Sequence, residues 1–141
     1  FAGASGGGVT LNGRPVRATH RGTLDGARMI GQKMRFNDKK WPAPWPRMDI
    51  IERQSIAYRL ALTAAGLGDA TLLFGWKHDW DVAAGAAIVQ AAGGVATDLW
   101  GGPLKFNQEV PRVPGVAAAG APLHPLLIER TRVLPDPRAQ A

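Results

Sequence analysis

Residues 78–85 are His78-Asp79-Trp80-Asp81-Val82-Ala83-Ala84-Gly85, and the run continues to Ala91-Ala92-Gly93-Gly94. Residues 82–92 are rich in alanine and apolar on almost every side, which predicts a buried helix with close neighbours. The two glycines end this helix. Asp81 stands at its start, where the helix dipole favours a carboxylate. That carboxylate either caps the helix or binds a hard cation such as Mg²⁺, and its position alone leaves both interpretations open.

Short strands and helices alternate on both sides of this helix. The apolar patterns predict strands over residues 27–34, 70–74, 95–100 and 115–119, and helices over residues 55–65 and 122–133. Strands that alternate with helices favour a mixed or parallel sheet covered by helices. The sequence therefore predicts an α/β fold, and its length is enough for one domain.

The N-terminal segment is rich in glycine and places Asn12-Gly13 between two strand-like runs. Both central positions of a tight hairpin turn need positive φ, which Asn and Gly tolerate. Residues 8–19 are therefore predicted to form a β-hairpin. Because a two-stranded hairpin is marginally stable in water, we expect it to belong to a sheet whose other strands lie elsewhere.

The helix predicted over residues 55–65 carries a candidate anion site at its start. Ile56, Leu60 and Ala64 repeat every four residues, and Ser55 is the predicted N-cap. Ser55 and Arg59 share one helix face, where backbone N–H groups and the positive end of the dipole favour an anion. Position alone does not distinguish an anion site from an ordinary cap followed by a solvated arginine.

Residues 39–46 contain two tryptophans among three prolines, which exclude a helix or a central strand. Trp41 and Trp45, with the lysines before them, either stack on a base and pair with a phosphate or pack this loop onto its own domain. Both interpretations stay open from the sequence.

Composition restricts the chemistry. The chain has 141 residues, of which 45% are hydrophobic, and it contains no cysteine. Thiol catalysis, zinc–thiolate sites and disulfide frameworks are therefore excluded, and we expect a soluble cytoplasmic protein without a membrane span. Seventeen basic against eleven acidic side chains give a formal charge of +6, which is either plain surface charge or an attraction for phosphate groups.

The segment Trp80-Asp81-Val82-Ala83-Ala84-Gly85, continued by residues 88–94 and by Asp98 with Gly101-Gly102-Pro103-Leu104, closely resembles the C-terminal signature of the inositol monophosphatase family. The resemblance extends back through residues 55–69 and through residues 7–16 of the hairpin, so it covers nearly the whole chain. It implies a magnesium-dependent, lithium-sensitive phosphomonoesterase with a layered α/β/α architecture, usually a homodimer.

The resemblance also implies roles for individual residues. Asp81 corresponds to a metal ligand, Ser55 to the substrate-binding hydroxyl, and Gln54 to the neighbouring position, which is usually glycine in the family. Arg59 is the basic residue expected to orient the substrate phosphate. The remaining family metal ligands precede the glycine-rich hairpin and are not among these residues. The sequence is thus expected to be the C-terminal half of such an enzyme, inactive without an N-terminal half.

Two substrates are compatible with the resemblance, inositol monophosphate and adenosine 3′,5′-bisphosphate. Members that bind sugar alcohols carry a glutamate where Leu73, Phe74 and Gly75 stand here. The spacing from Asp69 to Asp81, with Arg59, is more similar to the branch that removes the 3′-phosphate of the bisphosphate nucleotide. An arginine fork suits a substrate with two phosphates.

The predicted organisation has three parts. Residues 1–20 form the hairpin that completes an N-terminal sheet, 21–134 form a C-terminal α/β subdomain, and 135–141 form a frayed tail. Two other functions are compatible with the sequence: a structural half-domain that dimerises or completes an N-terminal partner, and a basic nucleic-acid-binding module that uses the tryptophan loop. The second predicts binding that weakens steeply with salt.

Overall fold

The computed structural model describes residues 1–37 and 39–140. The strands are β1 (Ala2–Ala4), β2 (Gly8–Leu11), β3 (Arg14–Val16), β4 (Arg28–Ile30), β5 (Asp49–Ile51), β6 (Ala70–His78), β7 (Gly94–Thr97) and β8 (Arg112–Gly120). The helices are α1 (Lys33–Phe36), α2 (Ile56–Ala64), α3 (Asp79–Ala91) and α4 (His124–Thr131), and a short 3₁₀ helix spans Pro137–Gln140. No helix among the described residues is both long and apolar enough to cross a membrane.

Two sheets organise the chain. The larger has the order β5-β4-β6-β8-β7, with β4 parallel to β5 and to β6, and with β8 antiparallel to both of its neighbours. The smaller is the antiparallel sheet β1-β2-β3. The predicted mixed α/β class is therefore confirmed.

Helices α2 and α3 cover one face of the large sheet, and α4 covers the other. One core cluster joins Leu60 and Val89 of these helices to Leu73 and Val116 of the sheet. A second cluster joins Leu127 of α4 to the opposite face of the same strands. At Gly85 a side chain would place its Cβ 2.7 Å from the Cβ of Leu60, so only glycine permits the observed approach of α3 to α2.

Helix α3 lies between the two sheets, since it contacts β6, β7 and β8 on one side and β1 and β2 on the other. Val9 of β2 is buried in the same cluster as Val82 and Val89 of α3. The predicted burial of α3 is therefore partial: the helix packs on two sides, whereas Trp80 and residues 84, 87 and 90 are exposed on its remaining face.

The hairpin prediction is confirmed at the turn. Asn12 and Gly13 have φ of 51° and 78°, as a type I′ turn requires, and they join β2 to β3. The sequence did not predict β1, which pairs with β2 and makes this sheet three-stranded within the chain. Its residues, Ala-Gly-Ala, carry almost no strand signal.

Several boundaries differ from the sequence predictions. The strand predicted over 27–34 ends at Ile30, because residues 33–36 form α1. Strand β6 runs on to His78, well beyond residue 74. Helix α3 begins at Asp79, three residues earlier than predicted. Strand β5 was not predicted, since only three residues pair and a proline-rich loop precedes them.

The C-terminal tail is attached rather than frayed over its described part; Ala141 lies outside the described residues. The guanidinium of Arg138 donates to the buried carboxylate of Asp98 at 2.8 Å and to Asp136 at 2.7 Å. The same group lies over the ring of Trp100, 5.2 Å from its centroid. The sequence of the tail did not predict these contacts, because they depend on Asp98 and Trp100, which are distant in sequence.

Candidate functional site

The carboxyl ends of the three parallel strands meet at one edge of the large sheet. Gln32 follows β4, Gln54 follows β5, and Lys77 lies near the end of β6. Loops at this edge are where open α/β sheets bind ligands. The start of α3, with Asp81 in its first turn, follows directly from β6.

A cavity of about 200 Å³ opens at this edge. Its polar wall is formed by Gln32, Arg35, Gln54, Arg59 and Lys77, and its floor by Leu72, Leu73, Phe74 and Ile56. We call it the basic cavity, because three cations line it and no carboxylate does so among the residues that the structure describes. An anion of phosphate size and charge suits such a wall.

Arg59 is buried, with only 7% of its surface exposed, so the interpretation of a solvated arginine is wrong. Its Nη2 donates to the carbonyls of Ile30 and Leu72, and its Nε donates to the Thr71 hydroxyl. Burial lowers the pKa of Arg59 to about 10. Arg59 lines the basic cavity, and its Nη1 has no hydrogen-bond partner among the described residues.

Lys77 is placed by a bulge in β6. Two residues lie between Phe74 and Lys77 while one lies between their partners on β8, and Gly75 in the bulge has φ of 73°. The Lys77 ammonium donates to the carbonyl of Phe74 at 2.5 Å. Burial lowers the pKa of Lys77, the charges of Arg35 and Arg59 lower it further, and the Asp81 carboxylate opposes them.

Asp81 is half-buried in the first turn of α3. Asp81 is not the N-cap, because His78 holds that position, but it lies in the first turn, where the helix dipole favours a carboxylate. It lies in the first turn of the helix that follows β6, four residues after Lys77, but it is not itself among the residues that line the basic cavity. Its neighbour Asp79 differs, since one Asp79 oxygen accepts from the backbone N–H of Asn107 at 2.9 Å.

Ser55 and Gln54 are both exposed at the start of α2. The Ser55 hydroxyl accepts from the backbone N–H of Tyr58 at 3.3 Å, which confirms the predicted N-cap. Gln54 lines the basic cavity together with Arg59. The structure thus brings Gln54 and Arg59 to one cavity, whereas Asp81 and Ser55 are not among the residues that line it.

A divalent cation needs several oxygen ligands. Among residues 1–37 and 39–140, no group of three or more acidic, histidine or cysteine side chains is arranged to hold a metal ion. Asp81 therefore fits as one ligand, and the described residues do not complete a metal site by themselves.

The tryptophan loop packs onto its own domain. The ring of Trp41 meets Trp45 edge-on at 5.1 Å between centroids, and Trp45 meets Phe36 in the same way at 5.3 Å. Trp41 also donates its indole N–H to the carbonyl of Arg35 at 2.8 Å. These contacts favour the interpretation in which the loop covers the domain.

A second cavity, of about 400 Å³, lies next to the basic cavity. Its wall includes Trp41, Phe74, Leu99, Trp100 and Pro114, and we call it the aromatic cavity. Arg35 and Phe74 line both cavities, so the two are adjacent. A flat apolar group and an anionic group on one molecule match this pair of environments.

Sequence reasoning missed Arg35 and Lys77. Neither lies in a recognisable motif, and their approach to Arg59 depends on strand order and on the bulge in β6. The glycine at residue 75, inside an otherwise strand-like run, was the available signal of a bulge.

Comparison with known proteins gives consistent matches. A model of the inositol monophosphatase family matches residues 1–134. The chain is 35% identical over 112 residues to the Nus factor SuhB of Pseudomonas aeruginosa, a match that covers 72% of this chain and 41% of that protein. It is 42% identical over 60 residues to the 3′-phosphoadenosine 5′-phosphate phosphatase of Mycobacterium leprae, with coverage of 43% and 22%.

The structure of the inositol monophosphatase from Anabaena (Nostoc) superposes with a TM-score of 0.71 at 24% identity, covering 97% of this chain and 55% of that one. This similarity confirms the predicted architecture. The chain spans about half or less of the length of each of these proteins.

Proposed function

Because the chain belongs to the inositol monophosphatase family, we propose that the whole protein is a metal-dependent phosphomonoesterase that acts on a small phosphorylated substrate. The observation that carries the proposal is the position of Asp81: a half-buried carboxylate in the first turn of α3, directly after the strand end at which Lys77 lines a cavity of cations. Anion-binding side chains next to a potential metal ligand are what phosphate-ester hydrolysis requires.

Each candidate site residue of this chain has a role in the proposal. Asp81 would be one ligand of Mg²⁺, which would neutralise phosphate oxygens and activate water. Gln54 and the Ser55 hydroxyl donate to substrate oxygens from the start of α2. The Arg59 guanidinium offers a fixed positive charge, since its Nε and Nη2 are held by Thr71, Ile30 and Leu72.

The other metal ligands are assigned to an N-terminal half of the protein, whose sheet residues 1–20 would complete. Residues 21–134 then act as the C-terminal α/β subdomain. On this proposal residues 1–141 alone are inactive, and the whole enzyme is a cytoplasmic, lithium-sensitive homodimer.

For the substrate, adenosine 3′,5′-bisphosphate is favoured over inositol monophosphate. The aromatic cavity supports this preference, because its tryptophan and phenylalanine walls suit a flat base better than a polyhydroxylated ring. Its shared wall with the basic cavity permits one nucleotide to occupy both.

The test is phosphate release by the whole protein in Mg²⁺, compared with Asp81→Asn. Loss of a metal ligand is expected to lower kcat at least 100-fold, since the oxygen geometry is kept and the charge is removed. Glu129→Gln is the matched control, because it makes the same charge change at an exposed position on α4.

Full activity in Asp81→Asn would refute the proposal. If the protein hydrolyses neither substrate but still dimerises or assembles with an N-terminal half, the result would instead favour the structural half-domain.

A further inference from the structure

Three cations line the basic cavity, and the proposed function assigns only Arg59 to the reacting phosphate. We propose that Lys77 and Arg35 bind a second, non-reacting phosphate of the substrate, so that the site selects bisphosphates over monophosphates. The inference rests on the proposed phosphatase function and assigns the selectivity to two residues that no sequence motif marks.

The three cations of the cavity differ in what already holds them. Arg59 is fixed by two carbonyls and one hydroxyl, and one corner of its guanidinium is available. Arg35 is exposed on α1, where its Nε lies 3.5 Å from the Gln32 side-chain oxygen. Such a long contact restrains Arg35 weakly, so its guanidinium is available to a ligand.

Lys77 is held where an anion can reach it. The carbonyl of Phe74 fixes the ammonium, while the carbonyls of Gly75 and Trp76 lie at longer distances of 3.4 and 3.3 Å. An ammonium has three N–H donors, and longer contacts are readily exchanged for a charged oxygen acceptor. The bulge in β6 therefore presents a donor to the cavity at the end of the strand.

The charges also oppose one another in the absence of an anion. Arg35 and Arg59 both disfavour the charged form of Lys77, and the described wall of the cavity contains no carboxylate to balance them. Asp81 is the opposing acidic group, and on the proposed function its charge is used by the metal. A second phosphate between Lys77 and Arg35 relieves this repulsion.

The lining of the two cavities distinguishes the cations. Arg35 lines both the basic and the aromatic cavity, whereas Arg59 and Lys77 line the basic cavity alone. On the proposal, a substrate whose skeleton occupies the aromatic cavity meets Arg35 and Lys77 with its second phosphate and Arg59 with its reacting phosphate. Two additional charge-assisted hydrogen bonds are expected to give about a tenfold preference each.

The experiment measures selectivity in the whole protein with Mg²⁺. The value of kcat/KM is determined for adenosine 3′,5′-bisphosphate and adenosine 3′-monophosphate, and for inositol 1,4-bisphosphate and inositol 1-monophosphate. We expect Lys77→Met and Arg35→Gln each to reduce the bisphosphate-to-monophosphate ratio about tenfold. Lys105→Met and Arg132→Gln remove the same charges at exposed positions outside the basic cavity and are expected to leave the ratio unchanged.

A second measurement does not require turnover. Calorimetric titration in EDTA compares the binding of the same bisphosphate and monophosphate pairs to the wild-type protein and to each variant. The wild type is expected to bind each bisphosphate more tightly than its monophosphate, and Lys77→Met is expected to lose most of this difference. Thermal melting of each variant verifies that it is folded.

The outcomes separate the two proposals. If both substrates of a pair lose the same factor in Lys77→Met and Arg35→Gln, these cations bind the reacting phosphate and the inference is overturned; unchanged ratios also overturn it. If the wild type hydrolyses none of the four compounds, the phosphatase function fails, and the titrations then decide whether Lys77 and Arg35 select a second phosphate.

Discussion

Charged side chains lie at both ends of β6, with Asp69 directly before the strand and Lys77 near its end, and the two ends are arranged in opposite ways. At its start, the buried carboxylate of Asp69 accepts from the backbone N–H of Arg28 at 2.8 Å and from its guanidinium at 3.1 Å. At its end, Lys77 shares a cavity with Arg59 and Arg35, and none of these is paired with a carboxylate in the described wall.

The difference indicates which end is structural and which is functional. A carboxylate matched to an arginine satisfies its own hydrogen bonds and leaves nothing for a ligand. Cations gathered without a counter-charge destabilise the empty protein, and such arrangements concentrate at binding sites. Substitutions at the two ends should therefore affect different properties.

The largest effect on stability is expected at Arg59, which belongs to the basic cavity but also connects α2 to β4 and β6. Arg59→Leu leaves the carbonyls of Ile30 and Leu72 and the Thr71 hydroxyl without this donor. Each lost partner costs about 1–3 kcal/mol, and relief from burying a charge offsets part of the sum. We expect a net loss of about 3 kcal/mol in urea unfolding.

The control for this change is Arg132→Leu at an exposed position after α4, expected to alter stability by less than about 0.5 kcal/mol. If Arg59→Leu were no more destabilising than that control, Arg59 would serve only to bind the ligand. The end of β6 would then have no role in stability, in full contrast to its start.

The next largest effect on stability is expected at the start of β6, where Asp69 is paired with Arg28. Asp69→Asn keeps the shape of the side chain but removes its charge, and we expect a loss of about 2 kcal/mol at pH 7, typical of hydrogen bonds to charged groups. Burial alone would raise the pKa of Asp69, but the hydrogen bonds from Arg28 lower it below the ordinary 3.8.

The sign of the pH dependence follows from that lowered pKa. The ionised Asp69 contributes its full stabilisation above about pH 4, and this contribution disappears as the pH falls through the folded-state pKa. Unfolding curves of the wild type and of Asp69→Asn should therefore converge below pH 4. A constant difference down to pH 2 would contradict the assignment.

The smallest effect on stability is expected at Lys77, where substitution should stabilise the protein rather than destabilise it. Burial and the charges of Arg35 and Arg59 lower the pKa of Lys77, so its charged form is disfavoured in the folded protein. Lys77→Met should raise the melting temperature slightly at pH 7. The wild type should recover the difference as the pH rises through the lowered pKa towards 10.5, because the unfolded chain then binds more protons than the folded one.

The measurement is thermal unfolding of wild type, Lys77→Met and Lys105→Met at pH 7 and pH 10. Lys105 is exposed and serves as the matched control. A lower melting temperature for Lys77→Met at pH 7 would show that the contact with the Phe74 carbonyl outweighs the repulsion between cations.

Local patterns were enough to predict much of the fold. The Asn12-Gly13 turn, the Ser55 cap and the apolar helix after Asp81 each follow from neighbouring residues, and each is present. Strands β1 and β5 were not predicted, because Ala-Gly-Ala has little strand propensity and residues 49–51 follow a proline-rich loop, so both depend on their pairing partners.

The candidate site divides in the same way. Asp81, Ser55 and Gln54 lie in stretches whose resemblance to a family can be recognised from sequence. The burial of Arg59 could not be predicted from a four-residue spacing, because it depends on carbonyls contributed by β4 and β6. Lys77 and Arg35 meet only after strands distant in sequence have been ordered side by side.

The extra residue in β6 separates two tasks along a single strand. Before the bulge, Leu72 and Leu73 are locked into the two cores, so substitutions there alter folding. After it, residues 76–78 are outside both cores. In evolution or in protein design, the residues that follow Gly75 in this strand can therefore be replaced to change which molecule binds without disturbing the hydrophobic cores.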